Sequence, residues 1–156
     1  MMTRTFAPWV EPIAAKLRDS RRDIVVAAQS TLDEAWSKPS PNEIWTYKDL
    51  LAHLATGDWV CQRVLRAVTE GTELSLGDLD EGNARSVEER RNTPVDELIA
   101  EVEAEGEKTQ ELLSLILEEQ RGLTREGAPM SLGDYLRMFP GHDEQHLAQL
   151  RTAQEG

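Results

Sequence analysis

The chain has 156 residues, 39% hydrophobic and 29% charged, with a formal net charge of −12. This is the length and composition of one soluble domain with a real core, not of a disordered tail. The acidic balance argues against nucleic acid or an anionic membrane surface as a partner, since both need clustered Lys and Arg. Cys61 is the single cysteine, which leaves no intrachain disulfide and fits a reducing compartment. No apolar run approaches the roughly 18–20 residues of a membrane span, and the opening MMTRTFAPWVEP lacks the apolar segment of a signal peptide. A cytoplasmic protein is expected.

The charge is uneven. Residues 70–119 hold sixteen acidic and four basic side chains, so the whole excess lies in the middle third. A solvated helix face that aids solubility explains it best.

The apolar periodicity is helical from end to end. The first segment, about 12–36, carries Ile13, Leu17, Ile24, Ala28, Thr31 and Ala35 on one stripe. The second, about 46–70, opens on Thr46 with Asp49 three residues on, a capping-box pattern, and faces inward through Leu50, Leu54, Cys61, Val64 and Val68. The third, about 94–120, has Thr93 as expected cap and Pro94 in its first turn; its stripe is Leu98, Val102, Thr109, Leu113 and Ile116. The fourth, about 132–153, follows Ser131 and turns Leu136, Phe139, Leu147 and Leu150 inward. Pro140 inside it removes one backbone hydrogen bond and is expected to kink it just before His142.

Residues 37–45 and 121–130 are rich in Pro and Gly and read as loops. The link 71–92 is much longer, with a short helix expected near 86–91. Antiparallel neighbours need no such link, whereas a chain returning along a bundle does. The expectation is a single all-α domain over 1–156, a four-helix bundle running up-down-down-up with its long crossover between helices two and three.

The sequence has three histidines, His53, His142 and His146. His142 and His146 stand at i and i+4, so on a helix both imidazoles reach toward one point. His53 lies on or beside the apolar stripe of segment two. In the favoured topology helix two begins and helix four ends at the same end of the bundle, and His53 and His146 each fall about 10 Å from that end. Three imidazoles at one depth can hold a divalent cation and leave a coordination position open, which is a catalytic rather than a structural arrangement. Around them, Asp49 is placed to cap helix two or to accept from His53, and Gln149 is either an ordinary polar boundary residue or faces the site. Asp143 and Glu144 lie beside the pair; Asp143, about 100° round the helix from His142, is expected to be exposed, with a ligand role as the alternative. Trp45, Tyr47, Trp59, Tyr135 and Phe139 are either pocket wall or core, and Cys61 is a small core residue.

The blocks WTYKDLLAHLATGDWV, DEGNARSVEERRNTPVDEL and GHDEQHLAQL, in this order and spacing, resemble the DinB/YfiT-like superfamily of metalloenzymes. That superfamily includes the N-terminal domain of mycothiol-dependent maleylpyruvate isomerase and thiol-dependent S-transferases. The resemblance implies an up-down-down-up bundle and a divalent metal, Zn²⁺ or Ni²⁺, on His53, His142 and His146. It also implies a homodimer that transfers a low-molecular-weight thiol to an electrophilic small molecule. A hydrolase using metal-activated water, and a stress-linked helical protein that binds metal or a small ligand without turnover, are the alternatives.

Overall fold

A computed structural model describes residues 4–42, 44–126, 128 and 130–155, and every regular element among them is a helix. The expected loops 37–45 and 121–130 therefore include positions 43, 127 and 129, which lie outside the described residues. The α-helices are α1 (Glu11–Gln29), α2 (Tyr47–Thr56), α3 (Trp59–Glu70), α4 (Leu79–Glu89), α5 (Val95–Ser114) and α6 (Leu132–Arg151). Short 3-10 turns stand at Asp33–Ala35, Glu118–Gln120 and Thr152–Gln154.

Several boundaries follow the local chemistry. Thr46 accepts from the Asp49 amide while the Asp49 carboxylate accepts from the Thr46 amide, a complete capping box that starts α2. Ser131 accepts from the Asp134 amide at the start of α6. Asp78 does the same for Glu81 and starts α4.

The structure also departs from the expected segments. Segment two is two helices, interrupted at Gly57 and Asp58. Both residues keep right-handed dihedrals but with shallow ψ of −17° and −7°. A Cβ at Gly57 would come within 3.0 Å of the His53 carbonyl, and the Asp58 carboxylate is drawn inward to Arg21 and Thr109, so local propensity and tertiary contact both stop the ladder here. The helix in the long link is longer than expected, Leu79–Glu89. Val87 alone is buried on it, too little apolar surface to leave a period in the sequence. Segment three starts one residue later than expected: Pro94 is extended at ψ 151° in the cap position, and Thr93 makes no side-chain cap. The first and third helices end earlier, at Gln29 and Ser114, before their 3-10 turns. Pro140 is buried inside α6, which runs through it from Leu132 to Arg151.

The core falls into two clusters. One joins Ile13 and Leu17 of α1, Val64 and Leu65 of α3, Leu113 of α5 and Leu136 of α6. The other joins Ile24 and Ala28 of α1, Leu50 and Leu54 of α2, Val87 of α4, Leu98 and Val102 of α5, and Leu147 and Leu150 of α6. The stripes read from the sequence are the buried positions, apart from half-buried Phe139. Cys61 is a buried free thiol, pushed up out of its usual titration range by desolvation.

Leu98 is fully buried in the second cluster. Leu98→Ala is expected to cost about 2–5 kcal/mol through lost transfer energy and a cavity, and Thr46→Ala about 1 kcal/mol through the lost cap. Denaturant unfolding of both variants checks the order, which reverses if α2 rather than the core limits stability.

Candidate metal centre

His53 stands in the last turn of α2, directly before the interruption, and is only 3% exposed. His142 and His146 project from successive turns of α6, the first exposed and the second buried. The three rings converge. Centroids of His53 and His146 are 4.7 Å apart, those of His142 and His146 4.5 Å, and those of His53 and His142 5.7 Å. Each ring offers a nitrogen within 4.8 Å of the other two, and the Nε2 atoms of His142 and His146 are 3.2 Å apart.

This donor set fits a first-row divalent cation. Two imidazole nitrogens at about 2.0–2.1 Å from a tetrahedral ion stand about 3.3–3.4 Å apart, close to the separation of the α6 pair. Two of the rings are shifted toward the neutral form that a ligand needs. Burial, then the neighbouring His146 and His142, and last the Arg21 charge, push the His53 pKa down to about 3. Burial and His146 lower His142 as well. Gln149 Oε1 accepts from His146 Nδ1 at 2.9 Å, which fixes the tautomer and leaves the Nε2 lone pair for the site. Nδ1 of His53 is buried with no hydrogen-bond partner, so the cluster is not a closed polar network of its own.

The other sequence candidates divide. Gln149 reaches His146, the less expected of its two readings. Trp45 stacks on His53 with centroids 4.7 Å apart and forms one wall. Asp49 is spent on the Thr46 amide and lies 3.9 Å from Arg91, so it caps α2 rather than serving His53. Trp59 donates to Asn83 on α4 at 2.8 Å, and Arg63 lies over its ring in a cleft of about 400 Å³. Tyr135 and half-buried Phe139 pack in or against the cluster of Leu65 and Leu136. Tyr47 is buried and shares a 2.7 Å hydrogen bond with Thr152, just past the end of α6.

Two buried charges stand outside the expectations. Asp143, expected to be exposed, is buried at 6%. It meets Arg21 of α1, itself 7% exposed, whose guanidinium also donates to the Leu54 carbonyl and to Asp58. Thr109 of α5 donates to the other Asp58 oxygen at 2.6 Å. The signal was present: Arg21 sits four residues after Leu17 and three before Ile24, on the core stripe.

The imidazoles also set an acid limit. An unfolded histidine titrates near 6.5 and His53 near 3 in the metal-free fold, so between these values the unfolded chain holds the extra proton and stability falls as pH falls. Melting of the metal-free protein should drop across that window, and His53→Gln should flatten the part between pH 6.5 and 5, above most carboxylate titration. An identical pH slope in wild type and variant would show that His53 is not held neutral by the fold.

No helix among the described residues is long and apolar enough to cross a membrane. No curated protein and no solved structure is significantly similar to the chain. The family model of the mycothiol maleylpyruvate isomerase N-terminal domain matches residues 17–142, a span that holds His53 and ends on His142, and so the chain belongs to that family, within the DinB/YfiT-like superfamily the sequence blocks resemble.

Proposed function

We propose that His53, His142 and His146 hold a divalent cation, Zn²⁺ or Ni²⁺, and that the protein transfers a low-molecular-weight thiol to an electrophilic small molecule. The observation that carries this reading is the convergence of three ring nitrogens from two separate helices within 4.8 Å. Family membership supports the thiol, since the matching domain is named for a mycothiol-linked isomerase. The same reading extends to a cytoplasmic homodimer.

The bundle we propose runs up-down-down-up. The cluster memberships support it: the early parts of α1 and α6 share one cluster with the late part of α5, and their later parts share the other with the early part of α5. That order brings the end of α2 and the second half of α6 together.

A bound cation would supply Lewis acidity that lets a coordinated thiol lose its proton near neutral pH. The protein's own part is to present lone pairs and to control water. His53 is kept neutral by burial, so no proton must leave it before it can act as a ligand. Gln149 holds His146 with Nε2 turned to its partner. Trp45 covers one face of His53, and the exposed edge at His142 leaves the approach for both substrates. In a substitution, the thiol proton passes to solvent, the sulfur–carbon bond forms, and the leaving group departs with the electron pair of the bond that breaks.

Protein purified without a nickel column should carry or take up close to one zinc per chain. His146→Ala should lower zinc affinity by more than about 100-fold, beyond the range expected for an outer-sphere change. Turnover of an electrophile panel should require mycothiol, bacillithiol or glutathione. Turnover in water alone would replace the transferase with a hydrolase, and a wild type that takes up no zinc would remove the metal centre.

A further inference from the structure

Arg21 makes a polar contact with the residue that follows a histidine on both α2 and α6. Its Nη1 donates to the carbonyl of Leu54, the residue after His53, at 2.6 Å. Its Nη2 is 3.3 Å from Oδ2 and 3.5 Å from Oδ1 of Asp143, the residue after His142. The same Nη2 pairs with Asp58, which opens α3 and is held in turn by Thr109 of α5. One guanidinium on α1 thus joins the two strands of chain that carry the histidines.

The fold makes room for it. The interruption at Gly57 and Asp58 leaves the last carbonyls of α2 without their usual amide partners four residues on, and Arg21 answers that of Leu54. Gly106 of α5 lies against the Arg21 stem, where a Cβ would come within 3.3 Å of Cγ. A lysine could not replace it, because one ammonium cannot serve a carbonyl and two carboxylates in a planar fork. The functional reading of the histidines does not by itself call for any of this. A bundle could carry His53 and His142 on helices joined by apolar packing alone.

We propose that Arg21 is a positioning residue for the histidine centre: its fork fixes the end of α2 against α6, so that a His53 ring nitrogen stands within 4.8 Å of those of the His142–His146 pair. The proposal rests on the metal reading, and its test separates the two. Outer-sphere groups that orient metal ligands are typically worth 10- to 100-fold in metal affinity. Arg21 would act this way through backbone and helix position rather than through a ring N–H.

The experiment compares wild type, Arg21→Lys, Asp143→Asn, the double variant, and Arg22→Lys as a surface control on the same helix. Zinc affinity is read by competition with a chromophoric chelator, and hydrogen exchange is followed on the metal-free proteins. Arg21→Lys should weaken zinc about 10- to 100-fold. It should also speed exchange locally, at 53–58 and 139–147, while amides at 98–102 keep wild-type protection. Asp143→Asn should move both readouts the same way, and the double variant should be no worse than Arg21→Lys, because the two act through one contact. Asp143→Asn stands in if Arg21→Lys does not fold. Unchanged zinc affinity in both single variants, or exchange that rises uniformly along the chain, overturns the positioning role and leaves the metal centre intact. A wild type that binds no zinc overturns the metal centre itself.

Discussion

Two pieces of chain far apart in sequence must bring three imidazoles to one place, and most of the architecture can be understood from that constraint. A histidine on α2 and a pair on α6 meet only if both helices are fixed in depth and rotation. Depth is set by the core cluster that locks Leu50 and Leu54 against Leu147 and Leu150. Rotation of α6 is set on its other side by Asp143, which must turn inward to Arg21 while His142, one residue earlier, turns toward His53. Neighbouring residues on a helix differ by about 100° in direction, so the two demands together leave little freedom.

The apolar stripes were legible because burial imposes a period on sequence. Leu98 and Val102, or Val64 and Val68, repeat at helical spacing, and each is buried. The capping box at Thr46 and the cap at Ser131 were legible because their chemistry is local. The histidine triad was legible for a different reason: rarity, since the chain has no histidine outside it. The break at Gly57 was not, because glycine and aspartate inside a helical pattern weaken it only slightly and the deciding contact comes from Arg21, more than thirty residues away. The linking helix α4 hid for the opposite reason, having a single buried residue, Val87. Its cap, Asp78 to Glu81, was the available sign.

Aromatic residues were the least legible class. Trp45, Trp59, Tyr135 and Phe139 carry the same local signature of bulk near a helix end or stripe, yet Trp45 stacks on His53, Trp59 binds Asn83, and the other two join the far cluster. What separates them is which cluster their helix segment has reached, and that depends on tertiary depth rather than on neighbours in sequence.

The charge inside the site region gives a last constraint. Arg21 faces two carboxylates, Asp58 and Asp143, so the buried group has one more acidic than basic member. Thr109 adds a hydrogen bond to Asp58, but Oδ2 of Asp143, 3.3 Å from the guanidinium, has no hydrogen bond of its own among the described residues. A buried carboxylate short of partners costs free energy, and removing one member of such a group commonly costs 3–5 kcal/mol because the remainder is left uncompensated. Asp143 acts on His142 in the direction that favours positive charge there, while Arg21 opposes it. His53 and His142, beside this cluster, are pushed toward the neutral form by burial and by their histidine neighbours, so these two rings are poorly suited to offset the excess. A divalent cation held by the three rings would offset it and keep every ring neutral. The same acidic excess that burdens the metal-free fold is therefore a reason for a cation, rather than an anion or a proton, to be the favoured guest of the histidine cluster.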